Sequence, residues 1–116
     1  MFKRYAITIV LTLFLAMPST AGDTPDFDAT KKLAEQGYIL AQSNLGVMYA
    51  KGQGVPQNYE QAYIWLSLAA AQSPAPEDAA KFRDMMAKTL SPERLNVAQQ
   101  SAAELQKRIT EKAIQP

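Results

Sequence analysis

The chain contains no cysteine and no histidine. Without cysteine, no disulfide can staple the fold and no thiolate can serve as nucleophile or metal ligand, so packing alone must hold the molecule together. Without histidine, the commonest general base near neutral pH is missing, and with both residues absent the usual zinc ligands are gone. Charge of one sign is not in excess either. Twelve Lys and Arg stand against eleven Asp and Glu, a net charge of +1, which gives no field that would recommend a nucleic acid or an acidic surface as partner. No run of about 4 to 8 residues alternates apolar and polar as a half-buried strand would. Long apolar runs are scarce too: the one at residues 5–17 is 13 residues, short of the roughly 20 that a spanning helix needs.

That run is informative in its context. "MFKRYAITIVLTLFLAMPSTA" is basic at Lys3 and Arg4, then apolar, then broken by Pro18 ahead of the small residues Ser19 and Ala21. This order is that of a secretory signal peptide cleaved after Ala21. Removing residues 1–21 from 116 leaves a mature chain of 95, with ten basic and eleven acidic groups. The expectation is a periplasmic or secreted protein with no stable membrane span after cleavage. A lipid anchor on an N-terminal cysteine is excluded.

Apolar spacing in residues 22–116 is helical nearly throughout. A first helix is expected from about Asp26 to Gln36. In residues 38–51, Ala41, Leu45, Met48 and Tyr49 fall at i, i+4, i+7 and i+8, one helix face. Asn58 is a good N-cap with Gln61 three residues on, and Tyr59, Ala62, Tyr63, Leu66, Ala69 and Ala70 repeat the same period. Trp65 and Leu68 widen that stripe, so this helix should be buried on most sides. "SPAPED" breaks it; Pro76 suits the first turn of a further helix that points Ala79, Phe82, Met86 and Leu90 inward. Ser91 and Pro92 repeat the break and cap. A last helix sets Leu95, Ala98, Ala102, Leu105 and Ile109 at steps of three and four, a narrow seam, with Lys107, Arg108 and Lys112 near its C-terminal end, where cations favour the dipole. Five helices and no strand define an all-α domain.

"YAKGQGVPQNY", residues 49–59, holds the closely spaced glycines. A dinucleotide fingerprint needs G-x-G-x-x-G after a strand, but a helix precedes this one and Gln57 stands where the third glycine belongs; a P-loop would close on Gly-Lys-Ser/Thr, and this loop closes on "GVPQ". The glycines therefore turn the chain. Gly52 ends one helix in the left-handed conformation, Gly54 reverses the backbone, Val55 fills the gap and Pro56 prevents the helix from continuing.

These residues carry a resemblance. Ala34, Gly37, Ala41, Leu45, Gly46, Tyr49, Gly52, Gly54, Val55, Ala62, Trp65, Ala69 and Ala70 stand at the spacing A-x-x-G-x-x-x-A-x-x-x-L-G-x-x-Y-x-x-G-x-G-V, a polar loop, then A-x-x-W-x-x-x-A-A. Residues 34–70 thus resemble one complete Sel-one-like repeat, of the tetratricopeptide-like helical repeats, in its exported bacterial type. "KKLAEQG" looks like the end of a preceding half-repeat, with Ala29 in place of the tryptophan. Physically, a mid-helix glycine costs about 1 kcal/mol against alanine, so Gly46 makes sense where Trp65 of the partner helix packs on bare backbone. The departure is repeat number. Such solenoids usually stack about three or more units, and a shift of 36 residues puts Ser73 on Gly37 and Glu77 on Ala41. Residues 75–113 would then form a C-terminal helical cap, and "AAKFRDMMAKTLSPERL" resembles the caps of exported members. The fold implied is a short helical-hairpin solenoid, one full repeat and a partial one, closed by that cap.

The resemblance implies a non-enzymatic adaptor or scaffold with a protein or peptide partner and no cofactor or metal. The residues agree. Glu77 and Asp78 are adjacent carboxylates that point apart on a helix and suit its first turn; Ser67 and Ser101 lack a base; Ser43 lies on a polar face. With Ala41, Leu45, Gly46 and Tyr49 turned to the second helix, the adjacent face carries Leu40, Asn44, Val47, Met48 and Lys51 at i, i+4, i+7, i+8 and i+11. In stacked hairpins this is the concave, ligand-facing side. The rival reading is a structural protein that homodimerises through the seam of its last helix.

Overall fold

A computed structural model describes residues 26–115; the expected leader, residues 1–21, lies outside them. Within them the chain forms five α-helices and no strand: α1 Phe27–Glu35, α2 Ile39–Lys51, α3 Tyr59–Ala70, α4 Ala79–Thr89 and α5 Pro92–Ile114. The all-α expectation holds, and the helix boundaries follow local chemistry. Asp26 opens α1 by accepting the Ala29 N–H on its carboxylate at 3.2 Å. Gly52 closes α2 in the left-handed region, φ +72°, where its N–H donates to the Met48 carbonyl. Asn58 opens α3 through Oδ1, which accepts from the Gln61 N–H at 3.0 Å. The return limb of that capping box is replaced by a tertiary bond, since the Asn58 N–H donates to the Tyr49 carbonyl at 2.9 Å and ties the two helices of the hairpin. Ser91 caps α5 at the Arg94 N–H, with Pro92 in its first turn.

One boundary differs from expectation. Pro76 is not in the first turn of α4: Glu77 and Asp78 intervene as a turn, and the Pro76 carbonyl accepts the Ala79 N–H at 3.1 Å. The proline thus shapes the approach to the helix and leaves Asp78 as its N-cap residue.

α3 is the centre of the fold. It packs against α2, α4 and α5, while α1 packs against α2. Accordingly Ala62, Tyr63, Ile64, Trp65, Leu66, Leu68 and Ala69 are all buried, so a stripe that looks broad in sequence becomes a helix covered nearly all round. Trp65 sits in the main core cluster with Ala34, Leu45, Tyr63, Ile64 and Leu68. The seam of α5 turns inward onto the same cluster: Ala98, Ala102 and Ile109 are buried and Leu95 and Leu105 pack against it. Its small residues let α5 lie close to α3 and cover that side of the core. On α4, Ala79 is buried and Met86 and Leu90 are partly covered, but Phe82 stays 37% exposed. α4 has one helix to lie on, so its inward stripe is narrower than the spacing implies.

Gly46 has the tightest surroundings of the described glycines. A Cβ there would stand 2.6 Å from Leu66 Cγ and 3.2 Å from the Ala62 carbonyl oxygen. The residue that requires the glycine is therefore Leu66, not Trp65, because Leu66 is the α3 side chain aimed at the α2 backbone. Gly54, φ +72°, lies over Phe27, whose ring meets Tyr49 edge-on with centroids 5.5 Å apart. The start of α1 thereby closes one end of the hairpin.

Candidate interaction face on the second helix

On the outer side of α2, four of the five residues read from the spacing are at least partly exposed and one is buried. Leu40 is 72% exposed, Asn44 and Lys51 are exposed, and Val47 is half-buried. Met48 is buried, at 2% exposure. It points under the glycine loop, where its Cε is near Gly54, and so belongs to the core instead of offering a soft apolar patch. What remains is a leucine, an amide about one turn on and an ammonium about two turns beyond that, with Val47 between the last two. Leu40 stands on a helix held rigid from behind, so its backbone is already ordered when a partner arrives and only its side chain loses freedom. Among the described residues, the ion pair within 4 Å is Arg83 with Asp84, so the Lys51 charge is unpaired there.

The residues that set the repeat geometry lie behind this face. Ala34, Ala41, Leu45, Gly46, Ala62, Trp65 and Ala69 are buried, while Tyr49, Val55 and Ala70 are partly so. Gly37, Gly52 and Gly54 all have positive φ. The Gly loop is further braced by Gln57, whose amide donates to the Ala50 carbonyl at 2.8 Å and lies 2.9 Å from the Tyr59 hydroxyl. That residue, which breaks the dinucleotide pattern in the sequence, is the staple of the turn.

Gln42 was not singled out by the sequence. It is fully buried, its amide donates to the Ala34 carbonyl at 3.1 Å, and its Oε1 accepts from the Gln72 amide. One side chain so ties the end of α1, the start of α2 and the end of α3. The available signal was position: Gln42 sits three residues before Leu45 and seven before Tyr49, within the apolar stripe. Ser67, considered as a nucleophile, has its Oγ buried with no hydrogen-bond partner, near Ala102 and Gln106 of α5. Among the described residues no group of acidic side chains is placed to hold a metal ion, and no helix is long and apolar enough to cross a membrane.

An antiparallel helix pair joined by a left-handed glycine turn, flanked by α1 and covered by α5, defines the class: a helical-hairpin fold of the repeat type. Residues 39–74 match the family model described as Sel1 repeat, so this stretch of the chain is a Sel1-like repeat. The match starts at the first residue of α2 and ends just past α3. Ala34 and Gly37 thus fall outside the matched residues. No curated protein and no solved structure matches the chain. Sel1 repeats generally mediate protein–protein interaction and are typically non-catalytic.

Proposed function

We propose that this is an exported, non-catalytic adaptor that engages a protein or peptide partner through the exposed side of α2, with Leu40 as apolar contact and Asn44 and Lys51 as polar ones. The observation that carries the reading is Leu40, 72% exposed on a helix whose opposite side is locked into the core. Export rests on the leader-like order of residues 1–21. The lack of a reaction of its own rests on the family's habit and on a sequence without histidine or cysteine. The rival, pairing through the seam of α5, loses its surface: Leu95, Ala98, Ala102, Leu105 and Ile109 are engaged by the chain's own core.

Two measurements test the proposal. N-terminal sequencing of the protein produced in a bacterial host should read from Gly22, and an intact Met1 would remove the export half. For the interaction, affinity capture from envelope extract should retain a partner with the parent protein that is lost with Leu40→Glu/Lys51→Ala. Equal retention by both would remove the α2 face from the proposal.

A further inference from the structure

A second surface lies on the other side of the fold, where the ends of α1 and α5 meet. Ile109 of α5 approaches Gly37, just past α1, to within 3.4 Å of where a Cβ would be. Beside that contact lie two clefts of about 450 and 270 Å3, which share Glu35, Ile109 and Lys112 and so adjoin as one open groove. Its remaining charged lining is Lys32 and Arg108, and Leu105 adds to the apolar floor. Three cations therefore face the groove against one carboxylate, and none of the four is in an ion pair among the described residues. Lys32 and Lys112 stand in the last turns of their helices, where each offsets the negative end of its helix dipole, and Arg108 adds a further cation to the side-chain balance.

We infer that this groove binds an acidic peptide segment in which carboxylates flank an aliphatic side chain. The aliphatic group lies on Ile109 and Leu105, the carboxylates face Lys32, Arg108 and Lys112, and Glu35 accepts a peptide N–H. A phosphate chain would leave the apolar floor unused and finds no aromatic ring in the lining to stack on. The groove is distinct from the α2 face, so the two can fail separately.

The test is fluorescence polarisation of the purified protein with a labelled, C-amidated peptide carrying a Glu-Leu-Glu core, alongside the same peptide with Gln-Leu-Gln. The acidic peptide should bind saturably and weaken with salt, and the neutral one should bind at least tenfold more weakly. Arg108→Glu/Lys112→Glu should weaken the acidic peptide tenfold or more with an unchanged melting temperature. Lys81→Glu/Lys88→Glu, on α4, and Leu40→Glu, on α2, should leave it unaltered. Equal affinity for both peptides, equal loss in the α4 control, an oligonucleotide of matched charge binding as tightly, or no saturable binding at millimolar peptide would each overturn the inference.

Discussion

Gly46 and Leu66 make the most specific contact between single residues in the fold. With a Cβ placed 2.6 Å from Leu66 Cγ, Gly46→Ala must push α2 and α3 apart, and the overpacking should cost about 1–3 kcal/mol despite alanine's better helix propensity. Calorimetry showing Gly46→Ala at or above the parent's melting temperature would exclude that contact. Trp65→Ala should cost about 3–5 kcal/mol, enough to unfold much of a domain this small, as far-ultraviolet circular dichroism would show. Ser67→Ala runs in the opposite direction: it removes a buried hydroxyl with no partner and adds helix propensity, so it should stabilise by about 1 kcal/mol, roughly 4–8 °C for a domain of this size. A lower melting temperature would mean that the hydroxyl is paired in solution. At this scale the sequence was legible where residue type has one use, as for the glycines of the turn. It was not where a polar residue hides in an apolar stripe. Gln42 reads as a solvated side chain because its partners, Ala34 and Gln72, are 8 and 30 residues away, and local spacing carries no information about either.

Helices were legible because caps and periods are local. Asp26, Asn58 and Ser91 each accept the N–H three residues on, and the starts they mark are where α1, α3 and α5 begin. Asn58→Ala should cost about 0.5–2 kcal/mol. α4 is the element least well read, since its first turn lacks a side-chain cap and a proline two residues ahead of the N-cap imitates one. The role of α5 has the sharpest test. Leu105→Glu, or truncation after Leu90, should strip cover from α3 and give a misfolded, aggregating protein, seen as loss of the monomer peak in sedimentation. A well-folded Leu105→Glu variant would instead return the seam to the solvent and revive pairing between copies.

For the whole molecule, what the sequence concealed is closure. The repeat pattern orders neighbours along the chain, but no period announces that α5 reaches back past α3 to Gly37, since that depends on the length of the last helix and on the bare backbone it meets. The cationic groove exists only because of that meeting and so was illegible in principle, although each of its lysines was visible.

The central position of α3 has a kinetic counterpart. Because α3 contacts α2, α4 and α5 at once, no partial opening frees it while leaving a folded remainder, in contrast to long solenoids that fray repeat by repeat. Its amide protons should exchange with deuterium only through global unfolding, and at one common free energy. The last turn of α5, exposed at residues 110–114, should exchange orders of magnitude faster. A protonation map that is flat across both would describe a loose bundle, and one that singles out residues 62–69 would identify α3 as the last element to yield.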